Sequence, residues 1–121
     1  MIRIILISVI TAFTVSSCYY DNYQELYPQQ GSCDTTNVTF SNDVWPVINS
    51  TCTGCHSGSA PSGNVSLSNY SEIAAAAGNG SLMGTIRHEA GYSPMPKGGG
   101  KLTDCEIKKL EIWIANGTPD N

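Results

Sequence analysis

The stretch Ser50–Gly58, STCTGCHSG, places two cysteines three positions apart and sets a histidine directly behind the second. Cysteine-x-x-cysteine-histidine is the attachment signature of c-type haem. The thiols of Cys52 and Cys55 add across the haem vinyl groups as thioethers, and the two-residue spacer matches the vinyl spacing. The adjacent His56 is then held over the iron as its proximal ligand. Three rival uses of these residues fit less well. A thioredoxin-like cysteine pair needs a βαβ setting, which the pattern of this chain does not offer. A zinc site needs four ligands; Cys52, Cys55, His56 and the distant His88 supply the number, but the neighbours Cys55 and His56 span a tetrahedron poorly. A Cys52–Cys55 disulfide closes a strained small ring. The motif therefore predicts one covalently attached haem c with His56 on the iron.

The rest of the sequence bounds what surrounds that site. The chain has 121 residues, 40% of them hydrophobic and only 13% charged, enough for one domain with a modest core. The formal charge of −4 excludes a nucleic-acid binder, which carries a basic patch; it suggests a protein partner with a positive docking face. The N-terminus, MIRIILISVITAFTVSSC, has one cation, Arg3, and then an apolar run from Ile4 to Val15. That run is short for a membrane span and has the length of a signal-peptide core. It ends in Val15-Ser16-Ser17-Cys18, which resembles a bacterial lipobox. The resemblance implies cleavage before Cys18 and a diacylglycerol thioether on its sulfur, so that 1–17 is a lipoprotein signal peptide. The Tyr-, Gln- and Pro-containing segment that follows has no apolar periodicity and reads as a tether over 18–36, leaving 37–121 as the domain.

Helical signals dominate that domain. TFSNDVWPVINSTC predicts a first helix with Ser41 or Asn42 as cap, an apolar stripe of Val44, Val47 and Ile48, and a bend at Pro46. LSNYSEIAAAAG predicts a second, capped by Ser68 or Asn69, with Glu72 reaching back and Gly78 stopping it. A short third helix covers Ser81 to Arg87. LTDCEIKKLEIWIANG predicts the last, with Thr103 and Glu106 as a capping box, a stripe of Ile107, Leu110 and Ile114 with Trp113 beside it, and Gly117 as the stop. No alternating strand pattern occurs, so the expected class is all-α with long loops.

The order helix, CTGCH, loop, two helices, a glycine-rich loop bearing a methionine, SPMPKGGGKL, and a terminal amphipathic helix resembles the small monohaem class I cytochrome c domain. The resemblance runs from about Phe40 to the C-terminus and looks nearest to the lipoprotein cytochromes c of Bacteroidota-type bacteria. It implies a fold of about four short helices around one covalent haem, with Met95 as the distal iron ligand. A thioether opposite a histidine raises the potential. Met83 and His88 are rivals for that position; Met83 reads as core and His88 as a histidine at a helix end. Pro61, or a carbonyl near it, is a candidate acceptor for the His56 Nδ1 proton. Arg87 and Lys97 are candidate partners of the haem propionates.

The family resemblance implies a carrier of single electrons between redox partner proteins, monomeric and not an enzyme in itself, held by its lipid on the periplasmic side of a bacterial membrane or at the cell surface. A haem-based sensor or ligand-binding protein, and a fixed electron-transfer subunit of a larger complex, are the alternatives. Cysteine arithmetic gives one more expectation. With Cys18 assigned to lipid and Cys52 and Cys55 to haem, two of the five cysteines remain in an oxidising compartment, so Cys33 and Cys105 are expected to form a disulfide.

Overall fold

The first helical run starts where Thr39, in extended backbone, accepts the amide of Asn42 on its hydroxyl. The computed structural model describes residues 33–121; Cys18, the signal segment 1–17 and the tether up to residue 32 lie outside the described residues. From Thr39 the chain enters a π-helical turn, Phe40–Val44, that runs straight into α1, Trp45–Thr51. Pro46 accounts for the widened turn. Its ring lacks an N–H and collides with the carbonyl four residues back in a regular helix. Bonds from Val44 N to Thr39 O and from Trp45 N to Phe40 O make the turn a π-helical one. The cap therefore falls on Thr39, ahead of the expected Ser41 or Asn42.

Three further helices follow: α2, Tyr70–Gly78; α3, Ser81–Ile86; and α4, Asp104–Ala115. Among the described residues there is no strand, and the architecture is all-α with long loops. Asn69 caps α2. The Glu72 carboxylate reaches back as expected, accepting from the Ser68 amide and also from Ser66 Oγ, both at 2.7 Å. The residue that turns the chain after α2 is Gly80, at φ 79°, and not Gly78, which is still helical. On α4 the Thr103–Glu106 capping box forms in both directions, and Gly117 takes the left-handed conformation after the helix.

α4 packs its Ile107, Leu110 and Trp113 into the core, where Trp113 is wholly buried. Ile114, expected on that stripe, is only half-buried. The reason is aromatic: Trp113 sits 5.6 Å from the ring of Phe40, which in turn meets Tyr70 edge-on at 5.1 Å, and such contacts reward the largest side chain for facing inward. The residues after α4 fold back over this cluster. Pro119 O accepts from Trp113 Nε1 and Thr118 O from the Tyr70 hydroxyl, while Asn121 accepts the amides of Phe40 and Ser41. Those are amides at the helix start that have no partner within the helix. A second tie joins the first helical run to α4: Lys109 Nζ lies 2.8 Å from the Asp43 carboxylate. Burial pushes the Asp43 carboxyl up, but the bonds from Lys109 and Thr39 outweigh it and leave it below its ordinary value.

Cys33 and Cys105 are joined by a disulfide across a separation of 72 residues. It fastens the start of the domain to the first turn of α4, covering a side of the helix that the apolar stripe leaves open. Cross-linking so long a loop restricts the unfolded chain, worth about 4 kcal/mol in the chain-entropy treatment. We expect Cys33→Ala/Cys105→Ala to lower the unfolding free energy in urea by roughly that amount. A loss under about 1 kcal/mol means that the unfolded chain gains little freedom. Among the described residues no helix is long and apolar enough to cross a membrane.

Candidate functional site

The CTGCH segment forms a tight turn directly after α1. Cys52 N donates to Ile48 O, and the Cys52 carbonyl then accepts from both Cys55 N and His56 N. Because the helix ends on Cys52, the two thiols and the imidazole are presented within one turn. Both thiols are free. Burial pushes the Cys52 thiol above its ordinary range, so it stays protonated at neutral pH.

His56 is fixed at two points by one tripeptide. Leu67 N donates to His56 O at 2.7 Å, and the ring Nδ1 lies 3.0 Å from Val65 O. A carbonyl oxygen only accepts, so Nδ1 carries a proton, and in the neutral ring Nε2 is the nitrogen with the lone pair. This is the arrangement by which a metal-binding histidine is held in one tautomer. The acceptor is Val65, not Pro61: Pro61 O is taken by Asn64 N in the turn Ser62–Asn64, and that turn carries the chain round so that the next residue faces the ring.

Cys52, Cys55 and His56 line a cavity of about 640 Å³, within the span of roughly 300–1,000 Å³ typical of small-molecule and cofactor sites. Leu67, Ala76, Leu82, Ile86 and Leu102 make its wall apolar. The loop between α3 and α4 supplies Met95, Pro96 and Lys97 to the same cavity. Met95 is half-buried there, and its amide is anchored on Thr85 O at 3.1 Å. The rivals lie elsewhere. Met83 packs against the apolar core, and His88 points its Nε2 at the Met95 carbonyl, 3.0 Å away. Among the described residues no three His, Cys, Asp or Glu side chains gather into a metal-holding group.

The two candidate cations part company. Lys97 lines the cavity. Arg87 is engaged by Glu89 and by Glu111 of α4 and contributes nothing to the cavity wall. Two elements went unread in the sequence, the Val65–Leu67 tripeptide that grips His56 and the α3 face that walls the cavity. The α3 wall had a visible signal, the spacing of Leu82 and Ile86.

Two cysteines, a histidine and a methionine share one largely apolar cavity with Lys97. These are residue types that could hold a planar, largely apolar cofactor bearing a metal and anionic groups. No family model matches the chain, and neither the comparison with curated proteins nor that with solved structures finds a match.

Proposed function

We propose that the protein is a monohaem c-type cytochrome of the class I fold that carries single electrons between redox partner proteins. The observation that supports it most is the shared cavity: Cys52 and Cys55, both free, His56, whose Nδ1 meets Val65 O, and Met95 all line it. Cys52 and Cys55 hold the cofactor by addition of each S–H across a vinyl C=C bond. The sulfur bonds one carbon and the hydrogen passes to the other, so attachment consumes no oxidant. His56, through Nε2, and Met95, through Sδ, would hold the iron. When bound, haem c would supply one-electron redox chemistry at its iron. The chain's own work is to keep water out with Leu67, Leu82 and Ile86, to set the potential through the thioether and the apolar wall, and to balance propionate charge with Lys97. In this reading the protein passes electrons between partners and transforms no substrate of its own.

Reduced and oxidised absorption spectra of the purified protein, combined with a redox titration, test this reading. We expect a c-type spectrum, pigment that resists acidified acetone, and one-electron behaviour. Protein matured with haem available that carries no covalent pigment defeats it.

The lipobox-like VSSC places the carrier, in this reading, on a membrane by a lipid at Cys18, exposed to the periplasm or the cell surface. Acyl chains on one N-terminus give stable anchoring. Cys18→Ser is expected to move nearly all of the protein from the membrane fraction to the soluble fraction. A variant that still needs detergent for release contradicts the lipid anchor.

A further inference from the structure

We propose that His88 is the positioning residue for Met95, clamping its peptide so that the thioether stays presented to the cavity. The inference rests on the reading of Met95 as an axial ligand. It starts from how the helices end. Three of them reverse through a residue in the left-handed conformation: Gly80 after α2, Gly117 after α4 and His88, at φ 60°, after α3. Glycine is the usual occupant of that position because it has no Cβ to crowd the backbone. The cap at α3 is otherwise regular. His88 N bonds Thr85 O, and Glu89 N bonds Gly84 O, which is the paired pattern of a Schellman cap. A side chain where its two counterparts have none points to a task for the side chain.

That task is visible in the bonds around Met95. The Thr85 carbonyl, already part of the cap, also accepts Met95 N at 3.1 Å. The His88 ring lies 3.0 Å from Met95 O through Nε2. The carbonyl can only accept, so Nε2 bears the proton and donates. Both polar groups of the Met95 residue are thus tied to the end of α3, one through backbone and one through the imidazole. A second anchor holds the intervening loop. The Tyr92 ring packs so closely on Gly84 that a Cβ there would come within 2.5 Å of it. The loop from His88 to Met95 is consequently fastened at its start, near its middle and at the methionine, all on α3.

The test separates a clamp from an ordinary helix cap. His88→Gly installs the residue that a cap prefers and removes the donor, so thermal stability should hold or rise while Met95 loosens. Azide competes with the methionine for ferric iron and reads that loosening. We expect about five-fold tighter azide binding in His88→Gly, the effect of one lost hydrogen bond of ordinary strength, and a weaker methionine-to-iron charge-transfer band. His88→Gln, which restores an N–H at similar reach, is expected to return azide affinity to near the wild-type value. Unchanged azide affinity in His88→Gly, in a wild-type protein that shows the methionine band, overturns the clamp alone. A wild-type protein with covalent haem but no methionine band overturns the Met95 reading and the clamp with it.

Discussion

Cys52→Ala/Cys55→Ala is expected to yield a protein whose pigment, if any is retained, passes entirely into acidified acetone, whereas the wild-type pigment stays with the chain. The expectation follows from the turn after α1. Both thiols are free and both line the cavity, and no other free cysteine occurs among the described residues, Cys33 and Cys105 being spent on each other. With both sulfurs gone, nothing in the cavity can form a thioether. His56 keeps its bond to Val65 O, so residual affinity for haem is expected, but it is reversible. Single replacements should each leave one thioether and shift the reduced absorption bands to longer wavelength, because one vinyl group stays conjugated. Pigment that remains covalently bound in the double variant removes the basis for the haem reading.

Met95→Ala is the second large effect. The side chain is half-buried in the cavity wall, and truncation there costs about 1–2 kcal/mol in packing, below the ~2–5 kcal/mol of a fully buried methionine. The change at the site is larger. Without the thioether the ferric protein should lose its methionine-to-iron charge-transfer band, its potential should fall, and azide affinity should rise by a factor on the order of ten or more, a free-energy change of ~1.4 kcal/mol per decade. Met83→Ala serves as control, since Met83 packs on the core and its loss should leave the band in place. A band that survives Met95→Ala and disappears with Met83→Ala transfers the ligand role to Met83. Ready binding of carbon monoxide by the reduced wild-type protein favours a sensor, in which the methionine yields to an external ligand, over a carrier.

The features legible in the sequence are those in which a few neighbouring residues carry the whole signal. Thr103, Glu106 and Gly117 specify both ends of α4 because a capping box and a left-handed stop involve only atoms within a turn of the helix. The spacing of Cys52, Cys55 and His56 is a signal of the same local kind, and the structure brings all three to one cavity. The all-helical class followed from apolar periodicity, and the Cys33–Cys105 pairing followed from elimination, with no geometry needed beyond the face on which Cys105 falls.

What the tertiary structure decided depends on atoms far apart in the chain or on loops without a period. The first helix begins at Thr39 because Pro46 forces a wide turn, and sequence places Pro46 without saying how the chain will accommodate it. The acceptor for the His56 ring is Val65, selected by a turn whose direction rests on Gly63 and Asn64 at positive φ. Arg87 turned to Glu111, 24 residues on, because α4 lies where its guanidinium could find a carboxylate; Lys97 stayed with the cavity. Ile114 yielded its inward place to Trp113 because Phe40 and Tyr70 supply aromatic neighbours from elsewhere in the chain. His88 read from sequence as a histidine at a helix end. Only folding of the loop from His88 to Met95 back onto α3 gave its ring a carbonyl to hold, since a hydrogen bond across a loop is fixed by the loop's path and not by the identity of the residues at its ends.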